Sequence, residues 1–252
     1  MDLATYAVEA KIEETHWWFV GRRHLFTEVF EQLRLPPDAA ILDVGTGTGA
    51  NLRLFRELGF FHSAGVDSSV AAIDFCKSKG LGNPDLGDAC SLPYRDGSFE
   101  LVVATDVIEH VDQDDKALKE IHRVLKPAGH ALITVPAFQS LWGIQDVVAH
   151  HKRRYRMACL CDRIAESGLL LTHSFYFNFL LFAPIWAARQ FFRLWQPAIS
   201  SENEVNSKLL NRILGAVFML DIHMAPRLRP PFGVSILALA QKPEQPTTSR
   251  VD

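Results

Sequence analysis

The stretch ILDVGTGTGA, residues 41–50, decides the fold. Its apolar start, stopped by a glycine, is typical of a buried parallel strand, and the residues after Ala50 have the pattern of a helix. Glycines at 45, 47 and 49 let the backbone turn sharply and approach a ligand, while the helix N-terminus offers free N–H groups to an anion. The spacing Gly45-x-Gly47-x-x-Ala50 also fits a dinucleotide fingerprint, so the stretch alone leaves the cofactor open.

Strands and helices alternate on the carboxyl side of this loop. HSAGVD (62–67), FELVVATDV (99–107) and HALITVPA (130–137) have the composition of strands, and helical patterns separate them. This alternation predicts βαβ units in a doubly wound α/β fold, with a mostly parallel seven-stranded sheet. Upstream, residues 5–34 predict one helix that ends before Pro36-Pro37.

Composition changes divide the chain into five predicted segments. They are an N-terminal helical lid (1–37), a Rossmann-like cofactor-binding core (38–178), a helical apolar cap (179–231), a final core strand (232–242) and a disordered tail (243–252). The interruptions at Asn178, Pro184 and Arg189 argue against a membrane-spanning helix in the cap. Packing on the core, a greasy acceptor tunnel and peripheral membrane contact through residues 179–220 remain alternative interpretations.

The totals limit the class of protein. With 252 residues, 48% of them hydrophobic and 22% charged, the chain suits one large domain or a core with a cap. A net charge of −3 argues against nucleic acid as an obligatory partner. Four cysteines are too few for a disulfide framework, and the acidic N-terminus lacks a signal pattern. We therefore expect a cytoplasmic protein, with membrane association as an alternative.

Acidic residues stand at the ends of successive predicted strands. Asp67 ends the second strand, the triplet Gly87-Asp88-Ala89 ends the third, and TDVIEHV (105–111) follows the fourth. With the glycine loop, this series over residues 38–136 resembles the class I, Rossmann-fold S-adenosylmethionine-dependent methyltransferases. Bacterial type-11-like methyltransferases of quinone and secondary-metabolite pathways are similar here.

The resemblance implies a role for each acidic and small residue of the series. Asp67 would bind the ribose with Ser68 alongside, although a helix cap is the alternative for Asp67. Asp88 and the Ala89 amide would bind the adenine, although a turn is the alternative for Asp88. The other implied cofactor contacts are Asp43, Gly45 and Gly47 at the methionine end and Thr105 and Asp106 at the sulfonium end.

The aromatic and basic stretch THWWFVGRR (15–23) precedes the first strand. In the fold implied by the resemblance, this segment crosses the carboxyl ends of the strands above the cofactor. Trp18 would shield the reaction from water, and either Arg22 or Arg23 would pair with the methionine carboxylate. An amphipathic helix with solvated arginines is the alternative.

Two places offer catalytic side chains. His110 follows the fourth strand, and HHKRRYR (150–156) offers His150, His151 and Tyr155 in the long connection after the fifth. Its cations suit an acidic acceptor, while a structural histidine and a solvated charge run are the alternatives. No metal site is predicted, because His150-His151 followed by Cys159-x-Cys161 matches no standard zinc spacing.

The sequence thus predicts methyl transfer to O, N or C of a small-molecule or lipid-like acceptor by in-line displacement. The pattern [Asp/Asn]-Pro-Pro-[Tyr/Phe] of amino-methylating nucleic-acid enzymes is missing after the fourth strand, where TDVIEH (105–110) stands. An NAD-dependent oxidoreductase and a catalytically silent S-adenosylmethionine-binding subunit remain alternatives. The acceptor and the oligomeric state are left open.

Overall fold

The computed structural model describes residues 3–195 and 207–244. The described residues form a seven-stranded sheet in the order β3-β2-β1-β4-β5-β7-β6, with β7 antiparallel to both neighbours and the other pairings parallel. This confirms the predicted mostly parallel, doubly wound sheet. Its strands are β1 (Ile41–Val44), β2 (Ser63–Asp67), β3 (Asp85–Leu86), β4 (Phe99–Thr105), β5 (Leu125–Pro136), β6 (Leu170–Phe177) and β7 (Ser235–Gln241).

Helices cover both faces of the sheet. They are α1 (Leu3–Ile12), α2 (Trp17–Leu33), α3 (Ala50–Glu57), α4 (Val70–Ser78), α5 (Asp114–Val124), α6 (Ile144–Val148), α7 (Met157–Glu166), α8 (Phe182–Trp195) and α9 (Lys208–Leu228). In β4, Val102 belongs to the core on one face, whereas Leu101 and Val103 belong to the core on the other. Burial on both faces explains why this strand has a continuous apolar run instead of alternating residue types.

The strand order reverses between β1 and β4, which are neighbours in the sheet. Both strands end in loops on the carboxyl side: the glycine loop follows β1, and Asp106 follows β4. In open α/β sheets, ligands bind in the crevice outside the carboxyl ends at such a reversal. The fold therefore places the glycine loop and the residues after β4 at one potential site.

The N-terminal region forms two helices, so the single helix predicted over residues 5–34 is wrong. The break has a polar cause: Glu13 is buried, and its carboxylate pairs with Lys79 Nζ at 2.7 Å. His16 then caps α2, because its Nδ1 accepts a hydrogen bond from the Trp18 amide at 3.3 Å. Burial lowers the pKa of His16 to about 4, which keeps the ring neutral and able to accept.

Two of the helices, α8 and α9, lie between β6 and β7, within the segment predicted as an apolar cap. Asp221 of α9 anchors the cap, since its carboxylate accepts hydrogen bonds from the amides of Asn178 and Leu180, at 2.7 and 2.8 Å. A Cβ on Gly21 of α2 would lie 2.5 Å from Cε1 of Phe218, so glycine allows α2 and α9 to approach closely. Most of the predicted tail, from residue 245 on, lies outside the described residues.

By length and composition alone, α9 could cross a membrane. In the fold, however, Phe218 and Ile222 of this helix are fully buried in the core beside α2. Core helices, which are mostly buried, pass the same test of length and composition, whereas only 22% of the apolar window of α9 is buried. Other apolar side chains of α8 and α9 are exposed: Trp186, Phe191, Trp195, Leu209, Leu210, Ile213 and Leu220.

Candidate functional site

A cavity of about 600 Å³ lies at the carboxyl ends of the strands. This volume is within the range of small-molecule sites. Most of the predicted site residues line it, namely Trp18, Arg22, Arg23, Gly45, Gly47, Asp67, Ser68, Asp88, Ala89, Thr105, Asp106, His110 and His151. Asp43, His150 and Tyr155 are not among the described residues that line it.

The glycine loop forms one wall of the cavity. Gly45 and Gly47 have φ angles of 72° and 55°, a left-handed region in which side chains are strained. A Cβ on Gly45 would collide with Val107, whereas a Cβ on Gly47 would meet nothing closer than 3.9 Å. The loop therefore needs glycine at position 45 for packing, and at position 47 it leaves room beside the backbone.

Asp67 has capacity for further hydrogen bonds on the cavity wall. Its Oδ2 accepts a hydrogen bond from the Gly47 amide at 2.9 Å, and its Oδ1 accepts one from the Ser69 amide at 2.8 Å. A carboxylate has about four acceptor sites, so two remain for donors such as the hydroxyls of a ribose. Asp67 thus supports the turn before α4 and also faces the cavity, and the two predicted roles are compatible.

Asp88 also makes a local turn at the rim of the cavity. Its Oδ1 accepts a hydrogen bond from the Cys90 amide at 2.8 Å, as the turn interpretation predicts. The side chain is exposed, and both Asp88 and Ala89 line the cavity. This position at the end of β3 is compatible with contact to the far end of an elongated ligand.

Asp43 lies behind the wall, which corrects its predicted direct contact with the cofactor. The side chain is fully buried, and burial raises its pKa to about 7. Its Oδ1 accepts a hydrogen bond from Asn51 Nδ2 at 2.9 Å, and the same nitrogen donates to Thr105 Oγ1 at 3.0 Å. Asn51 lines the cavity but was missed from the sequence. Its position in the first helical turn after the glycine loop could have indicated that it lies near the ligand.

The structure distinguishes the two N-terminal arginines. Arg22 pairs with Asp106 at 2.7 Å, and its guanidinium lies 5.5 Å from the ring centroid of Trp18. Its Nε has no hydrogen-bond partner within the described residues. Arg23 instead donates to the carbonyl oxygens of Glu13 and Glu14 and braces the turn between α1 and α2. Arg22 is therefore the better placed to meet a carboxylate.

Aromatic stacking fixes Trp18 beside Arg22. Its ring stacks on Phe177 of β6 and on Phe218 of α9, with centroid distances of 5.9 and 5.2 Å. The helix α1 adds Tyr6 and Glu9 to the cavity wall, which sequence inspection missed. Burial raises the pKa of Glu9 to about 7. The N-terminal helices therefore form one wall of the cavity, and their role as a lid stays a prediction.

Two histidines face each other at another part of the cavity. The rings of His110 and His151 have centroids 4.7 Å apart. Burial, and to a smaller extent the neighbouring His151, lowers the pKa of His110 to about 4. His151 Nδ1 lies 2.8 Å from Oδ1 of Asp146, a buried residue that the sequence analysis did not identify. Nothing in the sequence indicates that Asp146 and His151 form a pair.

The rest of the basic segment binds within the protein. Arg154 makes a bidentate pair with Asp146, at 2.8 and 2.9 Å. Burial alone would raise the pKa of Asp146, but the hydrogen bonds from His151 and Arg154 hold that pKa below its usual value. Arg153 donates to the Val111 and Asp112 carbonyl oxygens, both at 2.9 Å. These contacts do not support the prediction that this segment neutralises an acidic acceptor.

Two further predicted positions need correction. Tyr155 is buried away from the cavity, where its hydroxyl donates to Asp114 Oδ2 at 2.8 Å, so it does not reach an acceptor. His150 is exposed at a left-handed turn, with a φ of 58°, instead of facing the cavity. Arg189, which interrupts the apolar sequence of the cap, is buried on the cavity wall and donates to the Leu141 carbonyl oxygen.

Residues 42–133 match a family model described as a methyltransferase domain. With the glycine loop, the switch-point cavity and the sheet order, this match identifies a class I S-adenosylmethionine-dependent methyltransferase domain. Its cofactor is S-adenosylmethionine, so the NAD alternative is set aside. The open space beside Gly47 and the spare acceptor sites of Asp67 fit such a ligand.

The similar proteins act on different acceptors. The chain is 29% identical over 143 residues to norajmaline N-methyltransferase of Rauvolfia serpentina, which covers 54% of this chain and 48% of that protein. It is 30% identical over 148 residues to the tRNA (carboxymethyluridine(34)-5-O)-methyltransferase ALKBH8 of Macaca fascicularis, covering 57% and 21%. The chain thus spans less than half the length of these two relatives. A tRNA methyltransferase among them leaves the predicted absence of a nucleic-acid acceptor open.

One solved structure illustrates the likeness in fold. Phosphoethanolamine N-methyltransferase 2 of Haemonchus contortus, in complex with S-adenosyl-L-methionine, matches with a TM-score of 0.56 and 19% identity. The match covers 86% of this chain and 52% of that one. At this identity the likeness concerns the fold alone.

Proposed function

We propose that this protein transfers a methyl group from S-adenosylmethionine to a small or lipid-like acceptor with an apolar body. One observation supports this most directly: the cavity that contains Asp67 and the glycine loop continues to the inner side of the cap. There its lining is mainly apolar, formed by Ile185, Ala188, Phe192 and Leu214. An apolar body would lie against these side chains, since their burial favours binding.

The residues of the chain divide the work by position. Bound S-adenosylmethionine supplies an activated methyl group for in-line displacement. Thr105 and Asp106 would line its reacting end, and Arg22 would pair with its carboxylate. His110 and His151 would meet the polar end of the acceptor. Trp18 and the N-terminal helices would exclude water and align the reactants, which can provide much of the catalysis for an activated donor.

Filling the acceptor side without touching the cofactor side would test this division. We expect Ala188→Trp to lower methyl transfer at least about 10-fold, because an indole would occupy the apolar part of the cavity, while affinity for S-adenosylmethionine stays unchanged. The measurement follows the label of methyl-tritiated S-adenosylmethionine into the lipid, small-molecule and RNA fractions of a bacterial extract. Binding is measured separately by calorimetry.

The adjacent Ala187→Trp is the matched control, because Ala188 lines the cavity whereas Ala187 is not among the described residues that line it. Equal transfer by Ala188→Trp and the wild type would contradict the proposed acceptor side. Label in the RNA fraction alone would show that the acceptor is a nucleic acid and would contradict the proposed lipid-like acceptor. Cofactor binding without label in any fraction would favour the silent binding subunit.

We further propose that the protein works in the cytoplasm and that its cap touches the membrane surface. The outer side of α8 exposes Trp186, Phe191 and Trp195, and the start of α9 exposes Ile213 together with the cations Lys208 and Arg212. Aromatic and aliphatic side chains with neighbouring cations suit the interface of an anionic bilayer. Such a location would give a lipid-like acceptor a short path to the cavity.

Membrane contact predicts a change in vesicle binding. Trp186→Ala combined with Phe191→Ala should lower the affinity for phosphatidylglycerol-containing vesicles by about 10-fold or more, because two apolar side chains would no longer be buried in lipid. Co-sedimentation measures the bound fraction. Phe61→Ala serves as control, since Phe61 is 74% exposed but lies in the connection between α3 and β2. Equal pelleting of the double variant and the wild type would exclude this contact surface.

A further inference from the structure

Three potential metal-ligating groups converge beside the acceptor side of the cavity. Glu109, His110 and His151 each offer one ligand atom, and these atoms all lie within 4.8 Å of one another. His151 Nε2 is 3.9 Å from Glu109 Oε1, and the two imidazole rings are nearly perpendicular, at 84°. His110 and His151 also line the cavity, so the cluster is accessible to a small ligand.

Glu109 is the unusual member of this cluster. Its side chain is fully buried, and neither carboxylate oxygen has a hydrogen-bond partner within residues 3–195 and 207–244. The neighbouring arginines engage other acids, as Arg22 pairs with Asp106 and Arg154 with Asp146. A buried carboxylate without a partner is costly, and metal coordination is one of the few arrangements that offsets the cost.

His151 is already oriented as a metal ligand. Its Nδ1 lies 2.8 Å from the Asp146 carboxylate, which can only accept, so the hydrogen belongs on Nδ1. The lone pair is then on Nε2, the atom nearest Glu109. Carboxylate–histidine–metal arrangements fix the tautomer and the direction of the ring in this way. Asp146 is itself held by Arg154 and by the Gly143 amide at 2.7 Å.

We propose that Glu109, His110 and His151 bind a divalent transition-metal ion that activates an oxygen nucleophile of the acceptor. Two imidazoles with one carboxylate suit zinc, iron(II) or manganese, and three protein ligands leave a position for an exogenous oxygen. This site departs from the sequence prediction of no metal. The part concerning the acceptor rests on the proposed methyl transfer, whereas binding of the ion does not.

The proposed chemistry makes the acceptor a hydroxyl compound. A hydroxyl group on the ion loses its proton more readily, because the cation stabilises the oxyanion. The proton passes to solvent, and the oxygen forms its bond to the methyl carbon as the carbon–sulfur bond breaks. The electron pair of that bond stays on sulfur, which gives a neutral thioether and a methyl ether. The proposed metal site therefore makes oxygen, among O, N and C, the atom of the acceptor that is methylated.

Metal binding can be tested without knowing the acceptor. The full chain, stripped with a chelator and dialysed, is titrated with Co²⁺ or Zn²⁺ and followed by calorimetry and by Co²⁺ absorption. We expect one ion per chain and a raised Tm, since ligands that bind only the folded state stabilise it. Losing a residue that only supports a metal ligand already weakens metal binding by about 10-fold or more. Glu109→Gln and His151→Ala each remove a proposed direct ligand, so each should weaken binding of the ion by more than about 10-fold.

His24→Ala is the matched control, because His24 is an exposed histidine outside the cluster and the cavity. The site is refuted if the wild type binds no ion and its Tm does not rise when the metal is added. It is also refuted if Glu109→Gln binds the ion as tightly as the wild type. That wild-type measurement requires no variant to fold. Stoichiometric ion binding without methyl transfer would retain the site and reject the proposed function. Chelator-insensitive transfer would retain the function and reject activation by the ion.

Discussion

Replacing Asp67 with alanine is expected to weaken S-adenosylmethionine binding about 100-fold. The carboxylate holds the Gly47 and Ser69 amides and keeps two acceptor sites for the ribose. Hydrogen bonds to a charged group contribute roughly 1.5–3 kcal/mol each, and 1.4 kcal/mol is a factor of ten in Kd. Calorimetric titration of the purified protein with S-adenosylmethionine measures the change.

Asp74→Ala is the control for this prediction, because Asp74 is exposed on the adjacent helix α4 and does not line the cavity. Its Kd should equal that of the wild type. Thermal unfolding of both variants separates lost ligand contacts from a collapsed glycine loop. An Asp67→Ala variant that retains wild-type affinity would remove the ribose assignment.

Trp18→Ala is expected to lower the free energy of unfolding by about 2 kcal/mol, below the range for a fully buried aromatic ring. Trp18 lines the cavity and is only partly buried. The ring stacks on both Phe177 and Phe218 and lies against the Arg22 guanidinium. Its loss would open a gap where α2 meets α9 and release the arginine from its position. Methyl transfer should therefore fall further than the loss of stability alone explains. Chemical denaturation measures the free energy of unfolding, and an assay at low temperature, where the variant stays folded, measures methyl transfer.

Trp186→Ala provides the same substitution at a site 44% exposed on α8. We expect its unfolding free energy to change by less than about 0.5 kcal/mol, as at other surface positions. Full activity and unchanged cofactor affinity in Trp18→Ala would return the N-terminal stretch to the alternative interpretation, a helix packed on the sheet with no part in the site.

Local patterns predicted the sheet and the glycine loop because their causes are local. A run such as ILDV (41–44) must be buried on both faces, and Gly45 and Gly47 adopt backbone angles that other residues avoid. Asp67 and Asp88 could be placed because the fold brings the carboxyl ends of its strands to one edge. The break before Trp17 could not, since it depends on Glu13 reaching Lys79, far along the chain.

Pairing of distant side chains explains the remaining differences in the site. Seven residues in a row, HHKRRYR, gave equal reason to consider His150, His151 and Tyr155. The structure distinguishes them because Asp146 orients His151, whereas Tyr155 donates to Asp114 in the core. Glu109 was overlooked for a related reason: its sequence position beside His110 does not reveal that both of its oxygens lack partners.

The buried Glu13 has a consequence for the timing of catalysis. It accepts a hydrogen bond from Thr48 of the glycine loop and pairs with Lys79, so the turn after α1 is bound to the loop beneath it. Because α1 and α2 form one side of the cavity, this side can open only when these contacts break. If spent cofactor leaves on this side, its residence time would depend on how often an acid far from the reacting atoms releases its partners, as in enzymes whose turnover is set by product release.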